Sequence, residues 1–302
     1  MPACDKPPAM GMPPAEVVID SALVADLLAD QHPDLARLPL RRVGEGWDNA
    51  IFRLGDDLAV RLPRRAAAAT LVAHEQRWLP RLADRLTLPV PEPLRVGRPG
   101  RGYPWSWSIV PWLPGTTADL NEPDPSQARA FGTFLRSVHV PAPADAPASP
   151  LRGVPLQMRA ADIEERLERL ASQTDLITPA VRRIWREALH APPDVARTWL
   201  HGDLHPRNVL VQDGRITGVI DWGDLTAGDC ATDLASLWML FDDPQARREA
   251  LAAYGGVSEA TLCRARGWAV LFGVILLDAG LRGHPAHAVV GERTLRRVAE
   301  PR

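Results

Sequence analysis

Apolar and polar positions change their period several times along the chain, and each change marks an element. Ser21 to Leu28 carries apolar residues at helical spacing with His32-Pro33 beyond its end, so an amphipathic helix is expected there. From Leu40 the pattern shortens to three strands, near Leu40–Val43, Ala50–Leu54 and Leu58–Leu62, the last two joined by a tight Gly55-Asp56-Asp57 turn. Helical spacing returns at Leu71, Trp78, Leu79 and Leu82, which predicts a helix over about 66–82 that Pro80 kinks or ends early. P-V-P-E-P-L-R-V leads into another strand, and Y-P-W-S-W-S-I-V-P-W-L-P-G supplies a last strand and a hinge near residues 110–115.

Beyond the hinge the pattern is mostly helical. Asp124-Pro125-Ser126 starts a helix that buries Ala128, Phe131, Phe134, Leu135 and Val138 and ends near His139, which is read as structural. P-A-P-A-D-A-P-A-S-P reads as a flexible or extended connection, and two polar helices follow near 158–172 and 179–189. Val209–Val211 and Ile216–Ile220 flank a D-G turn and predict a hairpin. Thr226–Asp229 is expected to be a turn, Ala231–Phe241 a helix, and further helices start at Asp243, Ser258 and about Pro285. Arg266–Leu281 is apolar almost throughout apart from Asp278, so it is expected to be buried.

The hairpin matters because of what flanks it. The stretch T-W-L-H-G-D-L-H-P-R-N-V-L-V-Q-D-G-R-I-T-G-V-I-D-W-G-D puts a polar loop, His201 to Asn208, before one strand and a carboxylate, Asp221, after the other. Asp203, Asn208 and Asp221 can then converge. Two carboxylates and one amide suit phosphoryl transfer: one carboxylate accepts the proton of an attacking hydroxyl, while the amide and the second carboxylate hold magnesium on a triphosphate. The plainer alternative is that Asp203 and Asn208 stabilise a turn and Asp221 caps a helix.

H-G-D-L-H-P-R-N-V-L-V, V-I-D-W-G-D and G-D-C-A-T-D-L-A together resemble the aminoglycoside phosphotransferase family of the protein-kinase-like superfamily. The likeness is dense over about Arg197–Leu240, weaker over Val43–Gly115 and slight between about Asn121 and Val195. It implies an α+β, bilobal, protein-kinase-like fold. The expected division is a leader over 1–16, a small lobe over 17–113 with an antiparallel sheet plus helix, and a larger helical lobe over 114–302. Asp203 is then the catalytic base, and Asn208 and Asp221 are the Mg2+ ligands.

Nucleotide contacts are expected from the first lobe. The glycines of G-E-G-W-D-N (Gly44, Gly46) let backbone N–H groups approach phosphates, with Asn49 closing the loop. A cation on the third strand should neutralise the phosphates. Lys6, in the leader, is the chain's single lysine, so Arg61 takes that place. Glu75, the only carboxylate on its helix before Asp84, is expected to orient it. The Pro111 carbonyl and the Leu113 N–H are expected to hold an adenine ring. ATP is the expected nucleotide, with GTP left open.

Acceptor contacts are drawn from His205, Arg207, Asp224, Asp242 and Asp278; Asp224 equally suits the magnesium end. Asp162, Glu164, Glu165 and Glu168 form a solvated face or an acidic wall for a cation. His201 braces the loop and Asp233 bonds its N–H groups. An antibiotic of the aminoglycoside type is the first acceptor expected, on resemblance, with macrolides and hydroxylated metabolites as alternatives. A nucleotide-binding protein without transferase activity is the reading from another class, and no A-P-E segment follows Asp221 to support a protein substrate.

Composition narrows the rest. At 302 residues, 46% hydrophobic and 24% charged, the chain has an ordinary globular make-up with ample core. Its net charge of −2 disfavours a nucleic-acid partner. Cys4, Cys230 and Cys263 are scattered with no metal-ligand spacing, which suits a reducing cytoplasm. The first residues are too rich in proline for a signal peptide. No membrane span is expected, the run Trp268–Leu277 being too short. The sequence does not specify oligomeric state.

Overall fold

The computed structural model describes residues 13–300. Helix α1 (Ser21–Gln31) begins where Asp20 accepts the Leu23 N–H at 2.8 Å. Strands β1 (Leu40–Glu45), β2 (Asn49–Leu54) and β3 (Leu58–Pro63) form a meander, followed by α2 (Ala66–Ala83), β4 (Arg95–Gly97) and β5 (Trp107–Pro111). The five strands make one antiparallel sheet in the order β1-β2-β3-β5-β4. Pro80 does not stop α2, which runs on to Ala83. Of the expected leader, residues 1–12 lie outside the described residues; Glu16 lies within them and accepts the Ala66 N–H at the start of α2.

The second half holds β6 (Thr116–Thr117), α3 (Ala128–Val138), α4 (Ala160–Ala171), α5 (Pro179–His190) and β7 (Thr198–Leu200). Then come β8 (Val209–Gln212), β9 (Arg215–Val219), β10 (Thr226–Gly228), α6 (Ala231–Leu234) and α7 (Ser236–Leu240). Helices α8 (Pro244–Tyr254), α9 (Glu259–Leu281) and α10 (Pro285–Ala299) complete it. The β8–β9 hairpin turns through Asp213 and Gly214, both at positive φ (50° and 73°), as a two-residue D-G turn requires. The expected turn at 226–229 is instead mostly strand: β10 pairs with β7, which brackets the polar loop from both sides.

Buried apolar residues fall into two bodies. The smaller gathers α1 and the sheet around Leu27, Phe52, Val60, Trp107 and Ile109. The larger holds the helices and hairpins of the second half. It also takes in Trp78, Leu79 and Leu82 of α2, and Trp78 meets Trp199 at 5.1 Å between ring centroids. The end of α2 therefore roots the small lobe in the large one.

Helix α9 is 23 residues long and extends the apolar run Trp268–Leu277 at both ends, and its length and composition would suffice to cross a membrane. Most of it is buried within the protein, among α4, α5, α6 and α10.

Candidate active site

The loop 201–208 leaves β7 and is held by a buried carboxylate. Asp233 accepts the His201 N–H at 2.7 Å and the Gly202 N–H at 2.9 Å, and lies 3.3 Å from His139 Nε2. Burial alone would raise the Asp233 pKa, but His139, His201 and the Gly202 N–H outweigh it and hold the group below the usual carboxylate range. His201 has no exposed surface; it pairs through Nε2 with the Ile220 carbonyl at 3.0 Å and through Nδ1 with the Asp203 N–H at 3.3 Å. Those bonds make it a brace between the loop and the end of the hairpin. Gly202 is required twice over: its φ is 87°, and a Cβ there would lie 2.5 Å from the Asp224 carbonyl oxygen.

Asp203 is the centre of the loop. Its Oδ1 is 2.6 Å from Arg152 Nη2 and its Oδ2 is 3.4 Å from His205 Nε2. Burial alone would raise its pKa; Arg152 and His205 more than offset that and hold it well below the carboxylate range. Asn208 donates its amide N–H to the Asp203 carbonyl at 2.8 Å, which leaves its Oδ1 as an acceptor. The Asn208 carbonyl in turn takes the Ile220 N–H at 2.9 Å, so the loop and the end of the hairpin are stitched together next to Asp221.

Asp221 sits at φ 62°, a left-handed conformation uncommon outside glycine and a feature of functional turns. Its carboxylate is half exposed and lies 3.2 Å from Arg61 Nη2. Arg61 also donates to Glu75 at 2.6 Å. Burial alone would lower the Arg61 pKa, but Glu75 and Asp221 more than compensate and keep the guanidinium charged. One side chain thus joins β3, α2 and the end of the hairpin. Asp224 lies nearby, its pKa pushed up to about 6 by burial and by the charge of Asp203 and Asp221, with Arg152 opposing.

The positions expected to contact a nucleotide are mostly backbone. Gly46 N–H closes the β1–β2 turn onto the Asn49 carbonyl at 2.8 Å, and a Cβ on Gly44 would meet nothing within 4 Å. Neither Gly44 nor Gly46 has a positive φ, so their value here is open space rather than turn geometry. Asn49 itself is buried at the first rung of β2, and among the described residues its Oδ1 has no hydrogen-bond partner. Just past β5, Trp112 gives its N–H to the Asp57 carbonyl at 2.7 Å. Alternation along an extended strand therefore turns the Pro111 carbonyl and the Leu113 N–H the other way, past the last rung of β4.

Three residues named for the acceptor are engaged elsewhere. Asp278 is buried and held by Arg166, Arg169 and Arg282 at 2.5, 2.9 and 3.0 Å, so the lone acid of α9 is a structural anchor. Asp242 pairs with Arg297 at 3.1 Å. Arg207 donates to His287 at 2.5 Å and lies 3.7 Å from Asp119. Three of the four α4 acids are also matched, Asp162 with Arg159 and Arg166, Glu165 with Arg169, and Glu168 with Arg182, and Glu164 is exposed. They form no open acidic wall.

Two features lay beyond the sequence reading. Arg152 lies two residues past the stretch expected to be a flexible or extended connection, and nothing local in S-P-L-R-G-V announces a partner 51 residues away. Trp47, at the tip of the β1–β2 turn, meets His284 across the cleft at 5.5 Å between ring centroids.

The model of the phosphotransferase enzyme family matches residues 39–269. Among solved structures, the GDP complex of wild-type aminoglycoside 2'-phosphotransferase-IIIa superposes with a TM-score of 0.67, at 18% identity over 92% of this chain and 99% of that one. A macrolide 2'-phosphotransferase, MphH from Brachybacterium faecium, gives 0.59, at 27% identity over 94% and 99%. An uncharacterized protein of Bacillus subtilis (strain 168), YcbJ, is 38% identical over 50 residues, a stretch that spans only 16% of either chain.

Proposed function

Because this chain belongs to the phosphotransferase enzyme family, we propose that its cleft transfers the γ-phosphoryl group of a nucleoside triphosphate to a hydroxyl of a small molecule. The observation that carries this reading is the meeting of Asp203, Asn208 and Asp221 with the Arg61–Glu75 pair at the junction of the two lobes. Asp203 receives the proton of the acceptor hydroxyl as its oxygen bonds to phosphorus. The bond from the γ-phosphorus to the bridging oxygen breaks, and a nucleoside diphosphate leaves. Arg61 neutralises the phosphates while Glu75 aims it, and the β1–β2 turn covers them. The Pro111 carbonyl and Leu113 N–H hold the base, with ATP as the expected nucleotide and GTP as the alternative.

Asn208 Oδ1 and the half-exposed Asp221 carboxylate are two hard oxygen donors beside a phosphate site, a set that fits Mg2+. Bound there, the ion would neutralise charge on the phosphates as the leaving oxygen departs.

For the acceptor we rank a molecule without multiple positive charges, of which a macrolide is the leading class, ahead of a polycationic aminoglycoside. A polycation needs several unpaired carboxylates, whereas Asp242, Asp278 and three of the four α4 acids are in ion pairs and Arg152 stands against Asp203. The likeness to the macrolide 2'-phosphotransferase, at 27% over nearly the whole chain, supports the same order.

The test is release of nucleoside diphosphate from ATP and GTP in the presence of erythromycin, kanamycin, streptomycin and choline. Erythromycin-dependent release well above the acceptor-free rate is expected. Turnover of kanamycin alone would reverse the ranking of acceptors, and release stimulated by none of the four would contradict the proposal.

A further inference from the structure

Arg152 is placed with care by a segment that contributes no secondary structure of its own. Its backbone N–H goes to Ser149 Oγ at 3.1 Å, and the Ser149 N–H goes to Thr226 Oγ1 on β10 at 2.9 Å. The next residue, Gly153, has φ 67° and packs so tightly on Leu200 and Gly228 that a Cβ would lie 2.6 Å and 2.9 Å from them. The loop 147–153 is thereby fixed against the β7–β10 pair, the same pair that launches the loop carrying Asp203. The guanidinium lies over the Phe272 ring at 5.1 Å, and among the described residues its side chain donates a hydrogen bond only to Asp203.

The chemistry proposed for the site needs the acceptor hydroxyl to reach a carboxylate oxygen of Asp203. Oδ1 is held by Arg152 at 2.6 Å and Oδ2 faces His205 at 3.4 Å. A hydroxyl that bonds to Oδ1 must share that oxygen with Arg152 or displace it, and in either case it lies beside a guanidinium with four further N–H donors. Arginine remains charged at every working pH and offers its donors as a planar fork. It therefore favours an acceptor that presents an oxygen next to the reacting hydroxyl.

We propose that Arg152 is an acceptor-binding residue: it holds Asp203 Oδ1 until the acceptor hydroxyl arrives, then hydrogen-bonds an oxygen of the acceptor beside that hydroxyl. The residue thereby selects acceptors with adjacent oxygens, such as vicinal diols or hydroxy ethers. This rests on the phosphotransferase reading of the cleft. It adds a residue of the acceptor side that the 201–208 loop does not supply.

The test compares wild type with Arg152→Ala, Arg152→Lys and Phe272→Leu, using ATP with whichever member of the acceptor panel wild type turns over, and ADP binding by calorimetry. Arg152→Ala is expected to raise the acceptor KM at least tenfold while the Kd for ADP with Mg2+ stays within twofold. Arg152→Lys, which keeps the charge and loses the fork, should fall between the two. Phe272→Leu, which removes the face under the guanidinium and leaves the side chain in place, should raise KM a fewfold. An unchanged acceptor KM in Arg152→Ala would overturn the inference. So would a parallel loss of ADP affinity and thermal midpoint in all three variants, the mark of a purely structural role. A wild type that binds ADP but phosphorylates no acceptor would instead overturn the reading of the cleft, and the inference with it.

Discussion

Asp203→Asn is expected to lower acceptor-dependent turnover about 10²–10⁴-fold, the range removed with a general base, while the protein still binds nucleotide. The carboxylate is held ionised by Arg152 and His205 despite its burial, so at neutral pH it is ready to take a proton only as the hydroxyl becomes a better nucleophile. The amide keeps the shape and cannot accept that proton. Asparagine is the sharper probe than alanine here, because alanine would also leave Arg152, whose side chain is 18% exposed, without its partner. Steady-state turnover alongside ADP binding measures the two effects separately. Turnover within tenfold of wild type would remove Asp203 from the chemistry.

The second large effect is expected at Arg61, and it combines stability with binding. Arg61→Ala leaves Glu75, 2% exposed, with no opposite charge, and its Oε2 already lacks a hydrogen-bond partner among the described residues. Breaking a buried pair by removing one partner costs about 3–5 kcal/mol. Replacing both members with apolar side chains of similar volume, Arg61→Met with Glu75→Leu, should recover much of that in denaturant unfolding and none of the nucleotide affinity. Arg61→Lys keeps the charge but not the fork that reaches Glu75 and Asp221 together, so it should bind ADP about tenfold more weakly, the equivalent of about 1.4 kcal/mol. A loss of stability under about 1 kcal/mol in Arg61→Ala, judged against the cost of breaking a buried pair, would mean that Glu75 finds another partner.

Much of this site is local in sequence, which explains why it could be read early. Asp203, Asn208 and Asp221 lie within 19 positions in a hairpin whose D-G turn sets its own register. Asp233 follows within one short helix. Arg61 and Glu75 also follow from pattern, because a strand and a helix each offered one suitable charge. The failures among side chains concern charges with partners far along the chain. Asp278 could be read as paired or as lining a pocket, and although Arg282 is only four positions on, its partners Arg166 and Arg169 sit more than a hundred positions away. Arg152 was invisible for the same reason, its neighbours on β7 and β10 being set by tertiary packing. The turn expected at Thr226–Gly228 became a strand because β7 offered it an edge, an outcome that local propensity does not carry.

The central claim is that Asn208 and Asp221 serve one divalent ion beside Asp203. Electron paramagnetic resonance of Mn2+ titrated into the protein–ADP complex tests it most directly, comparing wild type with Asn208→Ala and Asp221→Asn. The account predicts that each variant weakens Mn2+ binding at least tenfold. Wild-type affinity in both variants would place the ion elsewhere and contradict it.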